Sequence, residues 1–247
     1  MIRSSLPNLF TIGNLFLGMI SIILVFNGKP ELASIFVIVA MLLDGLDGRV
    51  ARALNVQSEF GKELDSLSDI ISFGVAPAFI MYVVVFKDAV LINEPTAWIV
   101  TAIFPICGAL RLARFNVVAG TPGYFIGLPI PAAGGVLCTL ALFQKELNPY
   151  ILLLSTLLLS YLMVSRVKYP NFKKVGIPKA AIWVTPIIVI IAVVLAVRFP
   201  SILSNAIFLP LVLYALYGTF SSLKKNVKRI IRSKRHDNDE SIKPKLP

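Results

Sequence analysis

Histidine is almost missing from this 247-residue chain: His236, in a polar stretch near the end, is the only one. Imidazole catalysis and a zinc site of the His/Cys kind are therefore not expected. Cysteine is nearly as scarce, and both Cys107 and Cys138 lie inside apolar runs, which leaves no disulfide framework and no thiolate metal site. Charge is sparse at 15%, with 13 acidic residues against 24 basic ones. Alternation of apolar and polar residues with a period of two is absent, which argues against a β-barrel. No tandem repeat, low-complexity linker or nucleic-acid module is present. Any metal must be held by oxygen, which favours magnesium, manganese or calcium.

Apolar sequence is what the chain has in abundance, at 57% of residues and a mean hydropathy of +0.82. Runs of about 20 apolar residues recur, so the expected fold is all-α, a polytopic integral membrane protein. Eight spans are expected, near 8–27, 31–52, 63–86, 95–117, 127–144, 149–165, 181–198 and 203–222. The first reads as a retained helix and not a signal peptide. With both termini in the cytoplasm, 20 of the 24 basic residues fall inside, leaving Lys29, Lys87, Lys145 and Arg198 outside. The expected organisation is a transmembrane catalytic domain over residues 1–223 and a basic cytoplasmic tail over 224–247, in the cell membrane.

The scarce acids are unevenly spread. Six of the 13 fall between residues 44 and 69: Asp44, Asp47, Glu59, Glu63, Asp65 and Asp69. Asp44 and Asp47 are three apart and Asp65 and Asp69 four apart, spacings that put each pair on one helix face. Two such helices joined by a short connection would aim four carboxylates at one point. That concentration of charge needs a counter-charge, and a divalent cation is the obvious one. Gly48 and Gly61, with the small Ala51, leave room for a ligand or a second helix to approach. Arg52 offers a phosphate its fork of donors. Ser58, in the connection, either reaches a nucleotide or caps the next helix. Capping by single acids does not account for four of them at these intervals. A cation transporter is the other class weighed, but its site is expected near the bilayer midplane. Here the acids lie at the inner edge beside Arg49 and Arg52, which suits an anionic phosphate substrate.

Written as spacing, the segment is Asp44-x2-Asp47-Gly48-x2-Ala51-Arg52-x8-Gly61-x3-Asp65-x3-Asp69. It resembles the signature of the CDP-alcohol phosphotransferase family at every fixed position. The flanks 6–18 (LPNLFTIGNLFLG), 61–78, 107–116 (CGALRLARFN) and 127–135 (GLPIPAAGG) look like the membrane-embedded phosphatidylserine synthases of that family. The resemblance implies transfer of a phosphatidyl group from CDP-diacylglycerol to the hydroxyl of L-serine, with release of CMP, one or two Mg2+ or Mn2+ ions, and a homodimer. By position it implies Asp44, Asp47, Asp65 and Asp69 as the metal-binding set, with Asp69 as general base. Asp44, Gly48, Ala51, Arg52, Ser58 and Asp65 would meet the CDP portion. Glycerol 3-phosphate, inositol and inositol phosphate are the alternative acceptors.

For the acceptor, Arg111 and Arg114 share a face at the inner end of the fourth span, where one could clamp a carboxylate. The alternative is a pair of anchors reaching to the interface. Lys62 and Asn116 are weaker acceptor candidates. Asn8, Thr11 and Asn14 form a polar stripe on the first helix that meets either a neighbouring helix or the nucleotide.

Overall fold

The computed structural model describes residues 2–117 and 124–170, so the spans expected at 181–198 and 203–222 and the tail lie outside the described residues. Helix α1 (Ile2–Phe26) runs about 37 Å at 1.5 Å per residue. It ends in a turn at Asn27–Lys29, where Gly28 takes φ +72° and Pro30 supplies a preset first helical residue. Helix α2 (Pro30–Leu54) returns antiparallel to α1, and Ser21 Oγ donates to the Ala33 carbonyl at 2.8 Å between them. Asn55 closes α2 in the left-handed conformation, its N–H on the carbonyls of Ala51 and Arg52.

A short connection leads to α3 (Glu59–Phe86), which runs parallel to α1. Ser68 and Ser72 donate their hydroxyls to the α1 carbonyls of Thr11 and Asn14, at 3.1 and 2.9 Å. A Cβ at Gly18 would stand 2.8 Å from Ser72 Cα, so the two backbones touch there and only glycine fits. The helix widens into π turns over Ile70–Val75 and Tyr82–Phe86. Pro77 lies just past the first of these; it has no N–H and its ring crowds the carbonyl four residues back, which a looser turn relieves.

Helix α4 (Glu94–Val117) follows, then strand β1 (Tyr124–Ile126), α5 (Ile130–Leu142), α6 (Pro149–Val164) and strand β2 (Lys168–Pro170). The strands pair antiparallel, with Phe125 opposite Tyr169. Pro129, Pro131 and Pro149 stand at helix starts, as their fixed φ favours, and Asn148 caps α6 by accepting from Tyr150 N–H at 2.9 Å. Phe73, Ile80, Phe104, Ile130, Leu137 and Met163 are fully buried where α3, α4, α5 and α6 meet.

The outside is as apolar as the inside. Leu9, Ile12, Phe16, Met19, Ile23 and Phe26 line one face of α1 and are 46–66% exposed. A water-facing helix would put polar groups there; lipid explains the stripe. Among the described residues, three helical stretches, Pro7–Phe26, Glu59–Phe86 and Glu94–Val117, have the length and hydropathy to cross a membrane. Helix α2 is long enough but carries the acids and arginines of the site, and α5 and α6 are apolar helices of only 13 and 16 residues. The range 127–144 reads as one long span because Gly127–Pro129 and Phe143 are apolar or small, although they lie outside the helix.

Candidate active site

The described site is assembled by α1, the C-terminal half of α2 and the first turns of α3. One carboxylate oxygen from each of Asp44, Asp47 and Asp65 lies within 4.8 Å of the others. At an effective dielectric constant of about 20, two unit charges 4.8 Å apart repel by about 3.5 kcal/mol. Three such pairs approach the whole stability of a domain, about 5–15 kcal/mol. On the surface nearby, Lys62 pairs with Glu59 at 3.6 Å. The donor set is three hard oxygens at one point, which fits a magnesium or manganese ion.

The cluster is held in place from α1. Thr11 donates its hydroxyl to Asp47 Oδ2 at 2.8 Å, and the Gly48 N–H donates to Oδ1 of the same carboxylate. Thr11 thus meets a neighbouring helix, and it also lines the cavity beside the acids. Asp69 lies one turn farther along α3 than Asp65; it is buried, in contact with Asp44 and within the field of Arg111. Its Oδ1 has no hydrogen-bond partner among the described residues.

Beside the acids is a cavity of about 550 Å³, walled by Asn8, Thr11, Ala51, Arg52, Ser58 and Lys62 among others. The Arg52 guanidinium folds back along α2 toward Gly48, where a Cβ would lie in ordinary contact with it at 3.4 Å. A Cβ at Gly61 would come within 3.1 Å of both Asn8 Oδ1 and Ser58 Oγ, a close approach of α1 to α3. Ser58 is the N-cap of α3, accepting from Gly61 N–H at 3.0 Å, and it also lines the cavity. Capping uses its lone pair and leaves the O–H able to donate.

The two arginines of α4 separate sharply. Arg114 is tied to the carbonyls of Val164, Ile126, Met163 and Ser165, at 2.7–3.3 Å. It clamps the end of α6 to the strand β1 through both terminal nitrogens of its guanidinium. Arg111 is buried, stacked 5.6 Å over the Phe115 ring and near enough for its charge to act on Asp69. Asn116 joins α4 to α3, donating to Ser66 at 2.9 Å. Lys62 is half-exposed at the cavity rim. The sequence reading missed Gln57 in the cavity wall and the serines that fasten α3 to α1. Ser68 and Ser72 are four apart, on the face of Asp65 and Asp69, and that spacing was the available signal.

The described helices set an apolar outer face against an acid cluster that adjoins a cavity bordered by Arg52 and Lys62. The chain belongs to the CDP-alcohol phosphatidyltransferase family, whose model matches residues 4–165. It is 43% identical over 233 residues to a CDP-diacylglycerol–serine O-phosphatidyltransferase of Helicobacter pylori, covering 91% of this chain and 93% of that one. A protein of the same name from Bacillus subtilis is 41% identical over 170 residues, 68% of this chain and 92% of the relative. An archaetidylserine synthase of Methanothermobacter thermautotrophicus is 39% identical over 177 residues, 70% of this chain and 72% of the relative.

Proposed function

We propose that this enzyme transfers the phosphatidyl group of CDP-diacylglycerol to the hydroxyl of L-serine and releases CMP. The observation that carries this reading is the convergence of Asp44, Asp47 and Asp65 within 4.8 Å beside a cavity that Arg52 and Lys62 border. The names of the similar proteins supply the acceptor and donor.

Asp44, Asp47 and Asp65 would hold magnesium or manganese, which when bound would supply positive charge to offset the negative charge of the pyrophosphate. Arg52 and Lys62 bind the phosphate on the CMP side, Ser58 donates its hydroxyl to the nucleotide, and Gly48 and Ala51 keep the wall of α2 low enough for it to lie close. Asp69, counted among the metal-binding acids in the sequence, here serves as the base. It takes the proton of the serine hydroxyl, and the serine oxygen bonds to the phosphorus that carries the diacylglycerol. The bond from that phosphorus to the bridging oxygen breaks, and CMP departs with that oxygen. No covalent enzyme intermediate is needed. Arg111, near Asp69, binds the serine carboxylate through its planar fork. The charge asymmetry of the sequence supports a site open to the cytoplasm, with both termini on that side; the eight-span count, the 224–247 tail and the homodimer belong to the same reading.

The test is purified protein with CDP-diacylglycerol, Mg2+ or Mn2+, and a panel of acceptors, with CMP measured. Serine-dependent release is expected. Release with glycerol 3-phosphate or an inositol acceptor and none with serine would overturn the acceptor assignment, and cation flux into sealed vesicles without CMP release would overturn the reaction.

The two arginines are expected to fail differently. Arg111→Lys should raise the KM for serine by about tenfold or more, the worth of one charge-assisted contact of 1.5–3 kcal/mol, with normal thermal stability. Arg114→Lys should lower the melting temperature by several degrees with serine KM little changed. The opposite pattern in steady-state kinetics and thermal unfolding would exchange their roles.

A further inference from the structure

Below the acid cluster, α1 places an amide that neither the fold nor the proposed chemistry uses. Pro7, Thr11, Asn14, Gly18, Ser21 and Val25 form the buried stripe of α1. Asn14 has no exposed surface, and neither its Oδ1 nor its Nδ2 has a hydrogen-bond partner among the described residues. Buried side-chain amides are ordinarily paired, and more so among apolar helices.

The register of three helices shows what lies beside this residue. One turn toward the cytoplasmic end of the stripe, Thr11 bonds Asp47 on α2. One turn the other way, Gly18 abuts Ser72 on α3. Asn14 stands between them, with its own carbonyl bonded by Ser72. The antiparallel pairing of Thr11 with Asp47, carried one turn on, brings Asn14 level with Asp44. The parallel pairing of Thr11 with Ser68 and of Asn14 with Ser72 brackets Asp69. The register thus sets Asn14 beside the turn of α3 that carries Asp69, and the Asn14 amide and Asp69 Oδ1 both lack a partner among the described residues.

We propose that Asn14 is a positioning residue for the transfer: in the charged, cation-loaded site its Nδ2–H donates to the Asp69 carboxylate and turns the other oxygen of Asp69 toward the acceptor hydroxyl. Asn14 acts through Asp69 and touches neither substrate. The inference rests on the proposed role of Asp69 as base. It does not depend on which alcohol is the acceptor.

The test compares Asn14→Leu, Asn14→Asp and Asn14→Gln in detergent-purified full-length protein, using the acceptor that releases CMP fastest. A wrong choice of serine therefore sinks the acceptor reading and leaves this comparison in force. Asn14→Leu, close in volume but without a donor, and Asn14→Asp, the same shape without a donor, are each expected to lower kcat by about tenfold or more. KM for donor and acceptor should stay within about twofold, as expected for a group that contacts neither. Asn14→Gln, which keeps the N–H on a longer arm, should recover part of kcat. Mn2+ binding, followed by electron paramagnetic resonance, should stay near wild type in all three, because the acids remain. Wild-type kcat in Asn14→Asp would overturn the proposal. So would a loss in Asn14→Leu confined to melting temperature and yield, or a loss of Mn2+ binding that matches the loss of turnover.

Discussion

Asp69→Asn is expected to lower serine-dependent CMP release by about 10²- to 10⁴-fold, the range of a positioned general base. The substitution keeps the shape of a side chain that is only 7% exposed and so leaves no cavity. What it removes is the ability to accept the proton of the attacking hydroxyl. Asp69 lies outside the group of carboxylates that come within 4.8 Å of one another, so Mn2+ binding should survive the change. Steady-state CMP release together with a Mn2+ titration checks both halves. Turnover within about threefold of wild type would place the base elsewhere.

Asp47→Asn should be at least as damaging and should fail at an earlier stage. Both oxygens of Asp47 already accept a hydrogen bond, one from Thr11 and one from the Gly48 N–H. An asparagine offers a single oxygen, so one of these donors would face an NH2 group, and the site loses a negative charge at the same time. Loss of a group that merely supports a metal ligand typically costs about 10- to 100-fold in affinity. Loss of a ligand should exceed that, so Mn2+ binding and turnover should fall together in Asp47→Asn, whereas they part in Asp69→Asn. Wild-type Mn2+ affinity in Asp47→Asn would remove Asp47 from the ligand set.

The parts of this protein that could be read in advance are those in which the relevant neighbours are close in sequence. Asp44 with Asp47 and Asp65 with Asp69 fall on shared helix faces because the helical repeat decides it, and the short connection 55–58 was enough to bring two of those faces together. The turn at Gly28 and the helix starts at Pro30, Pro131 and Pro149 were readable for the same reason. Arg111 and Arg114 were not distinguishable. Their difference lies in the carbonyls of residues 163–165, about fifty positions away, which no local pattern encodes. The ribbon of β1 and β2 was missed because three-residue strands leave too short a pattern. Span ends drifted where apolar loop residues continue the hydropathy of a helix without its hydrogen bonds, as at Gly127, whose φ of +81° and whose N–H bond to Val167 belong to a turn.

The lipid-facing stripe of α1, set against the polar wall that the same helix lends to the cavity, bears on how the reaction is supplied. A donor that is itself a bilayer component arrives by sideways diffusion in two dimensions, while the water-soluble acceptor comes from the third. The effective concentration of the donor is then its mole fraction in the surrounding bilayer or micelle, and diluting it with inert lipid at constant bulk amount slows its delivery.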